Sequence, residues 1–236
     1  MSTIAANLQA VEATINAALT SAGRPRSSVQ LLAVSKTFPA EAVLEAIAAG
    51  QRAFGENYVQ EGVEKIADVA RAQPAPADAP IEWHFIGPIQ SNKTRPIATS
   101  FAWVHTVERL KIAQRLSEQR PPEMGPLNIC LQVNISGEAT KSGARPDELP
   151  ELARQVAALP NLRLRGLMAI PEAQADPALQ RAAFAKLRGL AEDLRAYGLA
   201  LDTLSMGMSG DMQAAILEGA TIVRVGSAIF GERNYD

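Results

Sequence analysis

Lys36 is the residue of this 236-residue chain best placed for covalent chemistry. It ends the run Leu31-Leu32-Ala33-Val34-Ser35 and, by two-residue alternation, shares a strand face with Leu32 and Val34. On an inward face its ammonium loses solvation, its pKa falls, and the unprotonated amine can attack an aldehyde. The plain alternative is a lysine stretching from a strand end into solvent. Two glycine–serine clusters lie far downstream: Gly207, Ser209 and Gly210 just before a helical pattern starting near Asp211, and Gly226 with Ser227 before a second short one. Glycine lets backbone N–H groups approach a phosphate closely, serine adds a hydroxyl, and helix N-termini add a favourable dipole. Ser209 as a helix cap, with the glycines as simple turns, is the competing reading. Arg224 stands two residues before Gly226 and so on the same face, where an inward guanidinium needs an acceptor. The unprotonated pyridine nitrogen of pyridoxal 5′-phosphate (PLP) is one such acceptor, and an arginine there weakens the ring as an electron sink. A buried ion pair with Glu56 or Glu232 is the other.

Other chemistries find less support. His84 and His105 have no cysteine or carboxylate at metal-ligand spacing, and His84 is expected to pack beside Trp83 at a barrel rim. Ser35 lacks a visible His-Asp arrangement, and no Walker-type or dinucleotide glycine loop is present. Cys130, the single cysteine, sits in an apolar run and reads as a buried small hydrophobe.

The elements that must position these residues alternate regularly. Ile4, Leu8, Val11, Ile15 and Leu19 mark an opening amphipathic helix. β-rich runs follow at 31–36, 52–57, 82–87, 102–106, 128–135, 163–170, 201–206 and 221–226, with helical patterns at 39–50, 58–70, 91–98, 108–118, 146–158, 177–197 and 211–218. Strand alternating with helix argues for a parallel sheet. Eight strands argue for an α/β fold closed into a single (β/α)8 TIM-type barrel with an extra N-terminal helix, and an open doubly wound sheet is the alternative. Residues 73–80 (QPAPADAP) read as a surface loop, too short to link domains, so 1–236 is expected to be one domain. In such barrels ligands bind at the C-terminal strand ends, with phosphate commonly held by the loops after strands seven and eight. Lys36 and both glycine–serine clusters fall at those ends.

Composition narrows the function classes. A formal net charge of −2 gives no broad basic field for nucleic acid or anionic lipid. No apolar stretch approaches the roughly 20 residues that span a bilayer. With one cysteine and no leader pattern, a cytoplasmic protein is expected.

The strings AVSKTFP (33–39), FGENYVQE (54–61), WHFIGPIQSNK (83–93), GLMAIPE (166–172), LSMGMSGDM (204–212) and VRVGSAIFGER (223–233) resemble those of the pyridoxal phosphate homeostasis proteins, single-domain relatives of the alanine racemase barrel. The resemblance runs from about residue 5 to 235. It implies that Lys36 holds PLP as a Schiff base and that Asn57 lies near the ring. It further implies that Ser209, Gly226 and Ser227 hold the phosphate, that Met206 and Gly207 shape its loop, and that Arg224 faces the pyridine nitrogen. Ser227 stands where the family often has threonine, which keeps the hydroxyl. The family is thought to buffer, store or deliver PLP, with PLP-dependent apoenzymes as recipients, and to lack robust catalysis. The resemblance assigns no role to His84, to Gln90, Asn92 and Lys93, or to Lys141, whose loop is expected to cover the site.

The competing function is a PLP-dependent amino-acid racemase, which needs an acid–base group on each face of its carbanion. Racemases of this barrel type take the second base, a tyrosine, from an additional C-terminal β-domain. Only five residues follow Gly231, and the tyrosines are Tyr58, Tyr197 and Tyr235. Tyr58 is expected to be a packing residue. A non-catalytic, monomeric carrier is therefore the expectation.

Overall fold

All eight apolar runs form strands, mostly shorter than their sequence patterns: β1 (Gln30–Val34), β2 (Ala53–Glu56), β3 (Glu82–Phe85), β4 (Trp103–Val107), β5 (Leu127–Gln132), β6 (Leu162–Met168), β7 (Thr203–Ser205) and β8 (Ile222–Val225). The computed structural model describes residues 2–72, 80–137 and 141–232. The strands pair in chain order and in parallel, and β8 returns to β1 through Leu31↔Val223 and Ala33↔Val225. That closure makes a (β/α)8 barrel and removes the open-sheet alternative.

Helices α1 (Thr3–Ala22), α2 (Ala40–Ala48), α3 (Val59–Ala72), α4 (Thr94–Ser100), α5 (Leu110–Gln119), α6 (Leu149–Ala157), α7 (Pro177–Ala196), α8 (Met212–Leu217) and α9 (Ser227–Phe230) surround the sheet. The pattern at 91–98 resolves into a 3-10 turn at Ser91–Lys93 followed by α4. Of the proline-rich loop, 73–79 lie outside the described residues, as do 138–140 of the loop after β5.

α1 begins where Ser2 Oγ accepts the Ala5 N–H at 3.2 Å and stops at Gly23, whose φ of 63° turns the chain left-handed. Its stripe Ile4, Leu8, Val11, Ile15 and Leu19 is buried, and the helix packs on α8 and α9. In β1, Leu31 and Ala33 join the core between strands and helices, whereas Leu32 and Val34 join the smaller cluster inside the barrel. Each buried leucine contributes about 1.5–3 kcal/mol. Cys130 belongs to the inner cluster, is fully buried, and has its thiol pushed up to about 12 by burial. It is the small hydrophobe its setting suggested.

Period two continues past the end of β1, so Lys36 follows Leu32 and Val34 toward the barrel mouth.

Candidate functional site

A cavity of about 280 Å³ opens at the C-terminal strand ends and is lined by Lys36, Asn57, Ser209, Arg224, Gly226 and Ser227, together with Val34, Ile86, Ile170, Met208 and Gly210. Six of the eight residues singled out from sequence thus meet in one place, drawn from β1, β2, β7 and β8 or the turns after them. Met206 and Gly207 do not line it. Met206 is fully buried in the outer core, and Gly207 holds the loop from behind. The φ of Gly207 is +95°, and a Cβ there would lie 2.5 Å from the Ala215 Cβ. Its carbonyl accepts the Arg224 N–H at 2.9 Å, which ties the β7 loop to β8.

Lys36 sits half-buried in a tight turn. The next residue, Thr37, has φ of 69°, a left-handed conformation that a β-branched side chain disfavours. A buried ion cluster behind the turn holds it there. Lys65 Nζ donates to the Ser35 carbonyl at 2.8 Å, to Glu56 Oε1 at 2.7 Å and to Glu61 Oε1 at 2.8 Å. Glu61 Oε1 also accepts the Thr37 N–H at 2.6 Å, and Ser35 Oγ donates to Glu56 Oε1 at 2.6 Å. Both backbone neighbours of Lys36 are therefore fixed. Burial pushes the Glu56 carboxyl up, with the Lys65 charge opposing that shift. Sequence reasoning missed Lys65, because a lysine in an amphipathic helix normally faces water; the one available signal was Glu61, four residues before it.

Arg224 forms neither of the ion pairs weighed from sequence, since Glu56 is taken by Lys65 and Glu232 is exposed. Its Nη1 donates to Ser205 Oγ at 2.8 Å and its Nη2 to the Ala169 carbonyl at 3.1 Å. Burial pulls the guanidinium down to about 10, so it stays protonated at neutral pH. Ser205 Oγ in turn lies 2.7 Å from His105 Nδ1, and His105 Nε2 lies 2.9 Å from His84 Nδ1. His84 is thus not a rim residue beside Trp83. It is fully buried inside the barrel and stacks on Trp103, with ring centroids 5.3 Å apart and planes 4° from parallel. Trp83 faces the other way and packs on Phe54, because adjacent strand residues point to opposite faces.

On the β7–β8 side of the cavity, next to β1, Ser209 and Ser227 are exposed residues. Ser209 is not a cap; Asp211 holds that turn by accepting the Met208 N–H at 2.6 Å. The helices that follow have only six and four residues, so local amides and hydroxyls outweigh any helix dipole there. Asn57 also lines the cavity, and its Oδ1 is buried with no hydrogen-bond partner among the described residues. Gly87 packs against the backbone of Asn57, where a Cβ would lie 2.0 Å from the Asn57 carbonyl oxygen. The residues fit PLP group by group: an amine for the aldehyde, hydroxyls and glycine amides for the phosphate, a guanidinium for a ring nitrogen, and an unsatisfied amide oxygen beside them.

Remaining residues fall elsewhere. Tyr58 is 53% exposed and lines no part of the cavity, so it is neither a packing residue nor placed as a base. Gln90, Asn92, Lys93 and Lys141 are exposed and also absent from its lining. A second cavity of about 410 Å³, shared at Asn57, Ile86 and Ile170, extends toward Arg109, Gln132 and Ser142. A wider groove, about 970 Å³, runs outside the barrel between α2 and α3, lined by both acidic (Glu41, Glu61, Glu64, Asp68) and basic (Lys65, Arg71) side chains. Among the described residues no group of three or more His, Cys, Asp or Glu could hold a metal ion, and no helix is long and apolar enough to cross a membrane.

A closed parallel barrel with a lysine at the end of β1 and glycine–serine turns after β7 and β8 defines the alanine-racemase class of barrels, and the family model for the alanine racemase N-terminal domain matches residues 6–234. Within that class, the chain belongs to the pyridoxal phosphate homeostasis protein family. It is 64% identical over 235 residues to the pyridoxal phosphate homeostasis protein of Pseudomonas aeruginosa, covering 100% of this chain and 98% of that protein. Among solved structures it is similar to PipY of Synechococcus elongatus with PLP bound, at 38% identity and a TM-score of 0.83, covering 97% of this chain and 100% of that one. The likeness to alanine racemase from Corynebacterium glutamicum, at 18% identity and a TM-score of 0.67, is one of fold and covers only 59% of that longer chain.

Proposed function

We propose that this chain binds PLP at the barrel mouth and acts as a reservoir or carrier of the cofactor in vitamin B6 homeostasis, residues 1–236 working as one binding domain. The observation that carries this reading is the convergence of Lys36, Arg224, Ser209 and Ser227 on one cavity. When bound, PLP supplies an aldehyde, which the Lys36 amine converts to a Schiff base with release of water. The chain's own residues do the rest. Ser209, Gly226 and Ser227 grip the phosphate, Arg224 faces the ring nitrogen, and the Lys65 cluster aims the lysine. The curated relatives named for pyridoxal phosphate homeostasis, and PipY with PLP bound, support the assignment.

A non-catalytic role is favoured by the lining itself. Lys36 and Arg224 are the only ionisable side chains lining it among the described residues; a further carboxylate, Glu108, lines the adjoining cavity. Recipients of the cofactor are PLP-dependent apoenzymes, and the protein works as a cytoplasmic monomer, which sedimentation would check.

Absorbance of the purified protein, borohydride reduction and peptide mapping test the assignment: one label is expected, on Lys36. A Lys36→Ala protein that still takes an equal borohydride-stable label refutes it. Incubation with single-enantiomer amino acids tests the carrier role, and turnover above about 1 s⁻¹, ordinary for an enzyme, overturns it.

A further inference from the structure

We infer that His84 and His105 are positioning residues for Arg224, joined to it through Ser205 in a one-way chain of hydrogen bonds that fixes both imidazoles as neutral Nε2–H tautomers. The inference rests on the PLP reading above in one respect, that Arg224 meets the ring of the bound cofactor.

The direction follows from the donor inventory. A guanidinium only donates, so Ser205 Oγ accepts from Arg224 Nη1 at 2.8 Å. Among the described residues the serine proton then has one neighbour able to receive it, His105 Nδ1 at 2.7 Å. With Nδ1 accepting, a neutral His105 carries its proton on Nε2 and donates it to His84 Nδ1 at 2.9 Å. His84 then carries its own proton on Nε2, which has no hydrogen-bond partner and faces Glu82 Oε2 at 3.7 Å. Gln30 Nε2 anchors that carboxylate at 2.9 Å.

The reverse order fails at both ends. Ser205 Oγ would receive two donors while its own proton found no acceptor, and a bare lone pair of His84 would face a carboxylate in a water-poor interior. The forward order aligns every O–H and N–H between a cation at the barrel mouth and an anion at its floor.

Among the described residues the charged and titratable groups around the pair include Arg224 above, Glu82 below, and Cys130 and Arg165 on β5 and β6, the Arg165 guanidinium lying 4.6 Å from the Trp103 ring and paired with Asp202. Burial lowers both imidazoles from their ordinary range, and for His105 the cation of Arg224 adds to the effect. Neutral rings are what the chain requires. Its consequence for the ligand is orientation: two of Arg224's donors are committed, to Ser205 and to Ala169, and the guanidinium plane is set before anything enters the cavity.

The test uses the full chain with ¹⁵N-labelled histidine. Two-bond ¹⁵N–¹H correlation spectra at neutral pH should show both rings as Nε2–H. A proton on Nδ1 of either ring, or a charged ring, overturns the chain's direction. Ser205→Ala then removes the one link between Arg224 and the imidazoles. Release of PLP and of pyridoxal should accelerate alike, by about tenfold or more, the size expected for one hydrogen bond to a charged group, because the ring end is common to both. The His105 ¹⁵N pattern should change as well. Unchanged release in Ser205→Ala refutes the positioning role. The tautomer spectrum is read without cofactor, so a wild-type chain that takes no label on Lys36 defeats the PLP reading while the chain itself is still judged.

Discussion

Replacing Lys65 with methionine isolates the support beneath Lys36. The substitution keeps an unbranched stem of similar length in a site only 5% exposed but removes three donated hydrogen bonds, to Glu56, Ser35 and Glu61. Glu56 is left fully buried with Ser35 Oγ as its remaining partner and Oε2 already without one. Breaking a buried pair while stranding one charge costs about 3–5 kcal/mol. At roughly 2–4 °C per kcal/mol for a chain of this size, the melting temperature should fall by about 6–20 °C.

The pH dependence has a definite sign. Burial already raises the Glu56 carboxyl above its ordinary 4.5, and losing Lys65 raises it further. A group with a raised folded pKa contributes its stability below the unfolded pKa and loses it as pH rises through the folded one. The deficit of Lys65→Met should therefore grow from acid toward neutral pH. Adding Glu56→Gln removes the stranded charge and should restore much of the loss. Calorimetric melts of the two single variants and the double variant measure this. A Lys65→Met protein melting with the wild type, or a double variant no better than Lys65→Met, would show that the cluster does not carry the turn.

Three shorter predictions concern the barrel mouth and floor. Ser209→Ala with Ser227→Ala should weaken retention of PLP more than of pyridoxal, which lacks the phosphate; equal losses in equilibrium dialysis count against the proposed phosphate grip. Gly207→Ala combines a φ of +95° with a Cβ 2.5 Å from that of Ala215, so it should cost about 2 kcal/mol or more in denaturant unfolding. The facing His84 ring, ahead of Gln30, holds the Glu82 carboxyl down to about 2 although burial opposes the shift. A depressed carboxylate stabilises above its ordinary 4.5 and loses that contribution as pH falls toward 2, so wild type should outlast Glu82→Gln at neutral pH and lose that margin across this window.

Much of this architecture is legible in the sequence because it rests on periodicities. Alternation along β1 points Lys36 inward with Leu32 and Val34, and the glycine–serine turns after β7 and β8 are visible as turns at strand ends, where the structure brings Ser209, Gly226 and Ser227 to the same cavity as Lys36. Contacts set by how strands line up around the barrel are not legible. The Ser205↔Ile222 register, which puts Arg224 beside Ser205, appears nowhere in the linear text. His84 and His105 were readable as strand residues, and alternation from Trp103 puts His105 inside, yet their 2.9 Å meeting depends on β3 and β4 lying side by side. Lys65 defeats pattern reading for another reason: its helix has a polar face, and only the turn of β1 beneath it reveals why a charge is buried there.

The junction of β7 with β8 pairs at a single register position, the shortest ladder in the barrel, and β8, the last strand, closes the cylinder on β1. A ligand gripped by Ser209 on one side of that junction, by Ser227 on the other and by Lys36 beyond the closing seam would act as a rivet across the junction with the fewest paired strand residues. Loading should then slow amide hydrogen exchange most in β7, β8 and β1, so that occupancy of the mouth would be read in the protection of the strands that close the barrel.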